Sequence, residues 1–562
     1  MATLTTNLFH GHGPGDHRLD VVEGHWPDDM LGDVYVVGPD KRRPGGHWFG
    51  ERGLVMRISC RTDSTGRIPV RSRVVRTPVL RIRDRMPWMF RKIAFADVSP
   101  LGSTNLANTN IEPINGRLFV GYDAGRQVEI DPETLKYLTP VGANDEWLQA
   151  LPGVLEPMIA VAAHPAADEH DGVMWFVNYT PIPSFDGSPT VYLARWDMTG
   201  PIERWPLTGL PAFDTFHDIK ASSDHLVFSD LPFAAAETLS GQPRTPNSDV
   251  TQLFIVAKEL VRSTPAGQPI PVTAIEIPMP TGHLMVDVDE QDGRLRVFLE
   301  HIPLSDLMIM LTGGEPAHGG GVIPADYEGL VTLAVQPGVV GRYLIDPGTG
   351  EVVESDIAWD DRFWGPILAT RDRSTVDARA RGGRLWFGGA GFDPELIPEE
   401  WWRLYGDGAL NHVVDPSDLP TESVPGALAT FDLDAMKVTS VHQFDDGAFP
   451  SPPQFVPRVN ADGPDDGYVV AMVHRDGPKE LVVFDASHIE HGPLARATAA
   501  DFCPPLLLHS TWLGPDRPVR PDYRIPLRRD LRSATGQIPA QLRAMWRSGK
   551  AMAMEKRKAA KF

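Results

Sequence analysis

Glu129-Ile130-Asp131-Pro132-Glu133-Thr134-Leu135 reads as the end of a strand, a turn and the start of the next strand. The phrase returns in similar form as Leu344-Ile345-Asp346-Pro347-Gly348-Thr349-Gly350-Glu351-Val352 and as Thr430-Phe431-Asp432-Leu433-Asp434-Ala435-Met436-Lys437-Val438. Between these phrases, short apolar runs follow Asn115-Gly116, Asp171-Gly172, Asp292-Gly293, Gly382-Gly383 and Asp466-Gly467. Asn-Gly and Asp-Gly accept the positive φ angles of tight hairpin turns, so each pair marks a hairpin. The chain therefore reads as mostly β. Loose repetition of a strand–turn–strand unit is what a β-propeller shows, one four-stranded blade after another. The period is irregular, and the pattern alone leaves a sandwich or a pair of barrels open.

Composition narrows the class. The chain has 562 residues, 42% of them hydrophobic, which is ample for a large core. Length alone would suggest three or four domains, a prior that a closed propeller ring breaks. The formal charge of −21 argues against nucleic acid as a partner of the body of the protein. Cys60 and Cys503 are the only cysteines, so no disulfide framework and no cysteine zinc site is expected. Residues 1–20 lack the basic and apolar regions of a signal peptide, and no run of 18 apolar residues is present. These features lead us to expect a cytoplasmic protein.

Chemistry enters with the histidines. Thr215-Phe216-His217-Asp218-Ile219-Lys220 puts one in a strand-like run. His164, His283 and His509 stand in comparable settings far away. Neutral imidazole is the commonest ligand of redox-active first-row metals. Four imidazoles would leave iron(II) its full charge and open positions for dioxygen and substrate. With 18 histidines in the chain, any one of them is equally well an ordinary strand histidine.

The surrounding words carry a resemblance. Phe49-Gly50-Glu51-Arg52-Gly53, Asn108-Thr109, Ala163-His164-Pro165, Phe216-His217-Asp218, Gly282-His283, Phe455-Val456-Pro457-Arg458 with Asp465-Asp466-Gly467, and His509-Ser510-Thr511-Trp512-Leu513 arrive in that order. In motif and order they resemble the carotenoid cleavage oxygenase family, the carotenoid, retinoid and stilbene oxygenases. The resemblance runs from Gly32 to Gly514. It implies an all-β, seven-bladed β-propeller with a dome of loops and helices over the active-site face. The domains expected are an N-terminal extension (1–31), the propeller with its dome insertions (32–515) and a basic C-terminal tail (516–562).

The resemblance also implies a cofactor, Fe2+, held by His164, His217, His283 and His509, with the Thr109 methyl crowding an open coordination position. In the family, three glutamates orient three of the ligand imidazoles. The first aligns with Asp123, one methylene shorter; the second falls near Trp364 and the third at Pro452. Two imidazoles are therefore expected to lack a carboxylate. The implied reaction splits a carbon–carbon double bond with dioxygen, giving two carbonyl products. Stilbene-cleaving members carry a lysine where this chain has Tyr122, which favours an apolar alkene, a carotenoid or apocarotenoid, over a hydroxystilbene or phenylpropene. Isomerisation without oxygen insertion and a degenerate lipid-binding propeller stay open.

Two segments point to an anionic membrane surface. Trp88, Met89 and Phe90 lie inside a cationic collar, Arg81 to Lys92, which equally suits a helix packed on the propeller. The segment 516–562 carries 13 Lys or Arg against 4 Asp or Glu, a net of +9 (13 − 4), and Gln541 to Lys558 reads as a basic amphipathic helix. The run His301 to Thr312 reads as a buried helix, or as lining for a tunnel mouth.

Overall fold

The computed structural model describes residues 10–531, apart from 94, 169–170, 182–187, 234–243, 288–289, 291, 333–334, 366–367, 372–381 and 446. Its strands form a seven-bladed propeller. Blade one runs outward from His509–Leu513 through Asp33–Pro39 and Gly53–Ser59 to Ile68–Val74. Blade two is Asn110–Ile114, Arg117–Tyr122, Gly125–Ile130 and Tyr137–Pro140. Blade three begins with the short strands Ala160–Val161 and Ala166–Asp168, blade four with Thr215–Ala221 and blade five with Thr281–Val286. Blade six begins with Leu368–Arg371, and blade seven with Phe449–Pro450 and Gln454–Pro457.

The repeated phrase lies at the same place in three blades, the turn from third to fourth strand. The physical reason is its aspartate. Asp131 Oδ1 accepts from the Thr134 backbone N–H and hydroxyl. Asp346 Oδ1 accepts from Gly348 and Thr349, and Asp432 Oδ1 from Asp434 and Ala435. Each side chain closes the turn that the backbone would otherwise leave open.

Apolar layers fill the space between blades. Tyr35, Val37 and Val55 of blade one meet Leu118 and Val120 of blade two. Trp175 and Val177 of blade three meet Phe216, Phe228 and Phe254 of blade four. Blade one joins the two ends of the fold: Val37 pairs with His509 and Asp33 with Leu513. This removes a free sheet edge and fixes the ring.

Segments on both flanks of the propeller pack onto it. Asp16–Gly24, assigned to the N-terminal extension, is a strand bridging the outer strands of blades seven and one. The first part of the basic tail is docked rather than free. Arg520 joins Arg117 on the buried Glu129 carboxylate, Asp530 pairs with Arg126, and the Tyr523 hydroxyl accepts from the Gly142 N–H. The amphipathic segment from Gln541 lies outside the described residues.

Candidate metal centre and substrate cavity

The four expected histidines converge. Each comes from the inner strand region of a different blade: His509 from one, His164 from three, His217 from four and His283 from five. One ring nitrogen from each of His164, His283 and His509 lies within 4.8 Å of the others, a spacing that could hold a metal ion. His217 completes the group, its ring centroid 4.7 Å from His164 and 5.4 Å from His283.

Local irregularity places them. The pairing of Thr215–Ala221 with its neighbour slips between Phe216 and Asp218, so His217 is the extra, bulged residue. Pairing slips again between Thr281 and His283, one residue before the ligand. A bulge bends a strand and re-aims a side chain, which suits a site on a propeller axis. Backbone bonds then stitch the ligands together. The His164 N–H donates to the His217 carbonyl, and the Ile219 N–H donates to the His164 carbonyl. Asp218 accepts from the Leu284 N–H beside His283.

Donor chemistry fits a metal. The Nε2 atoms of His164 and His283 are buried and have no hydrogen-bond partner. Buried polar atoms are nearly always satisfied, so two orphans aimed into one cluster fit a shared ligand-bound ion. Burial and the neighbouring imidazoles hold His164 and His509 well below the usual histidine value, ready as neutral ligands. Burial works the same way on His217, but Asp123 outweighs it and holds that ring above the usual value. Its Nδ1 donates to Asp123 Oδ1 at 2.8 Å, which leaves Nε2 for the metal side.

The sequence missed one carboxylate. Glu300 Oε2 lies 3.3 Å from His283 Nδ1. Of the two imidazoles expected to lack such a partner, one has it. Trp364 does not face the ligands: its indole donates to the Asp361 carbonyl and packs on Phe392. Pro452 is in the cavity wall, and beside it Ser510 donates to the Pro453 carbonyl. Among the described residues no carboxylate reaches His164 or His509. The signal for Glu300 was a charge closing the apolar run Val297-Phe298-Leu299, since a buried charge requires a partner.

Above the histidines opens a cavity of about 480 Å³ walled mostly by apolar side chains, among them Phe49, Phe95, Leu231, Phe233, Met308 and Leu506. Thr109, Tyr122 and Asp123 stand in its wall beside the ligands. Asn108 explains the early Phe-Gly-Glu motif: its amide donates to the Phe49 and Glu51 carbonyls and pins that segment to the cavity. The run His301 to Thr312 is not a helix but turns and extended chain, and Ile302, Ser305, Leu307 and Met308 line the cavity. The Trp88 segment is a helix, Pro78–Arg85, followed by a turn, Pro87–Met89. Trp88 is 78% exposed, Met86 37% and Ile93 38%, while Met89 and Phe90 are half-buried. Ile93 also lines the cavity, so the exposed apolar patch is its rim. A second, exposed trio on a surface turn, His488, Glu490 and His491, also has metal-ligand spacing.

The model of the RPE65 family, described as retinal pigment epithelial membrane protein, matches residues 10–271 and 403–514. The chain belongs to this family, the carotenoid cleavage oxygenases. It is 22% identical over 528 residues to the apocarotenoid-15,15'-oxygenase of Synechocystis, covering 88% of this chain and 93% of that one. It is 28% identical to resveratrol cleavage oxygenase 1 of Aspergillus fumigatus over 225 residues, 39% of this chain and 42% of that one. Among solved structures, the lignostilbene dioxygenase of Pseudomonas brassicacearum has a TM-score of 0.61 at 20% identity, covering 90% of this chain and 96% of that one. A cobalt-substituted Synechocystis enzyme has a TM-score of 0.58 at 18% identity, covering 92% of this chain and 99% of that one. The oxygenase is thus a seven-bladed propeller enzyme of a metal-dependent family.

Proposed function

We propose that this oxygenase uses iron(II), held by His164, His217, His283 and His509, to cleave a carbon–carbon double bond of an apolar polyene, an apocarotenoid being the best fit. The observation that carries the reading is the convergence of four imidazoles, three of which, His217, His283 and His509, line an apolar cavity. Bound iron(II) would supply the activation of dioxygen for addition across the alkene, which ends as two carbonyl products. The chain's own residues do the rest. Phe49, Phe95, Phe233 and Met308 grip a long apolar substrate and exclude water. Thr109 narrows the space beside the ligands. Burial keeps the Tyr122 phenol protonated, so it offers a neutral hydrogen bond to a polar end group.

The exposed Trp88, Met86 and Ile93, with Arg81, Arg85, Arg91 and Lys92 exposed around them, suit an anionic membrane surface as the place where such a substrate is collected. The stilbene-cleaving relatives favour a second reading, the same reaction on a stilbene. Tyr122 argues against it, because a neutral phenol offers no fixed cation for a phenolate.

The test is oxygen uptake by protein loaded with iron(II) under anaerobic conditions, with apocarotenoids set beside hydroxystilbenes. We expect uptake and aldehyde product with the apocarotenoid, and neither from His217→Ala. Turnover of the stilbene alone would replace the first reading by the second. Wild-type protein that retains no iron would overturn both.

A further inference from the structure

The Glu300 carboxylate is buried, its side chain 6% exposed, and it stands on the second strand of blade five. His283 and Glu300 are direct partners across the two antiparallel strands. Such partners bring their Cβ atoms to about 4.5–5.5 Å, within reach of a side-chain contact. The pairing exists because of the slip at Gly282: before it Thr281 faces His301, after it His283 faces Glu300. Among the described residues, His283 Nδ1 is the only side-chain group paired with this carboxylate. A buried carboxylate with a single partner, an imidazole whose other nitrogen is orphaned, is placed to act through that imidazole.

We propose that Glu300 is a positioning residue that holds His283 in the tautomer and ring orientation for metal binding. The inference rests on the metal reading above and adds a charge argument. Asp123 behind His217 and Glu300 behind His283 bring two negative charges to a site of four neutral imidazoles. A divalent ion would then be neutralised without a carboxylate occupying any coordination position, leaving room for dioxygen and substrate.

The experiment is a cobalt(II) titration of metal-free full-length protein, read by visible absorption and by the metal-induced rise in melting temperature. A His488→Ala/His491→Ala background silences the exposed trio. Glu300→Gln keeps the size and removes the charge. We expect it to weaken cobalt binding about 10–100-fold and alter the cobalt spectrum, with the metal-free melting temperature unchanged. Asp123→Asn should weaken binding by a similar factor. Glu300→Gln should also cost far less in a His283→Ala background, since a residue acting only through His283 has nothing left to orient there. This cycle stays informative if the single variant loses stability.

Cobalt affinity and spectrum of Glu300→Gln within twofold of wild type, with Asp123→Asn impaired, would overturn the role of Glu300 and leave the metal site standing. An equal loss in the wild-type and His283→Ala backgrounds would also overturn it. No cobalt binding by wild type would overturn the inference and the iron reading together.

Discussion

At the scale of single residues, a buried polar atom without a partner carries more meaning than its residue type. His301 is as buried as His164, yet both its ring nitrogens are engaged, by Thr281 and by Tyr343, and it is a packing residue. His164 keeps an orphaned Nε2 and sits among three other imidazoles. Glu156 shows how burial acts on a carboxylate. It accepts from the Val79 N–H at the start of the helix that leads to Trp88, and burial pushes its acid up to about 7. Its folded value is raised above its unfolded one, so its stabilising contribution is full below about pH 4.5 and fades as pH rises through about 7. Glu156→Gln stays neutral throughout. The variant should therefore gain on wild type between pH 5 and 8, by on the order of 1–3 kcal/mol, measured by denaturant melts across that range. A difference that does not change with pH would refute this account.

At the scale of elements, the site depends on how closely neighbouring blades approach. Gly121, on the second strand of blade two, lies against the carbonyl of Ala163, the residue before His164. A Cβ added at Gly121 would sit 2.1 Å from that oxygen, which is backbone and has little freedom to give way. Gly121→Ala should push the His164 strand from its place. We expect a loss of roughly 1–3 kcal/mol in stability, together with weakened metal binding. Chemical denaturation with and without cobalt(II) checks both. Unchanged metal affinity would mean that the strand shifts without carrying the ligand.

At the scale of the molecule, closure and docking matter. The segment 516–531 is strapped to blade two through Glu129, which lies buried between Arg117 and Arg520. Glu129→Ala would leave two guanidinium groups facing each other. Breaking a buried pair by removing one partner costs about 3–5 kcal/mol, and we expect a loss in that range by urea denaturation. A cost below about 1 kcal/mol, the worth of a surface pair, would show that the strap is not held there. The rim patch makes a separate prediction. Trp88→Ser should reduce co-sedimentation with anionic phospholipid vesicles several-fold while leaving turnover of a detergent-dispersed substrate unchanged. Equal sedimentation of the two proteins would remove this surface as the membrane contact.

Hairpins, strand–turn–strand units and the order of the family motifs were legible in the chain because they depend on local conformation: positive φ at Asn115 and Gly116, or an aspartate closing its own turn at Asp131. The four converging histidines were legible because each sits in a short motif of its own, and Asp123 because it follows a hairpin with a clear register. Glu300 was not, because its role depends on which residue it faces across the sheet. A slip of one residue at Gly282 decides that pairing, and the charge closing the run Val297-Phe298-Leu299 says only that a partner is needed, not which residue it faces. The same reason hid the docking of Asp530 on Arg126, a contact between positions 404 apart in the chain. The sequence by itself determined the strands, the turns and the four histidines that converge on the propeller axis. Tertiary structure alone decided that Glu300 stands behind His283 and which apolar side chains close the cavity over the histidines, because both depend on register and blade packing, where distant segments meet.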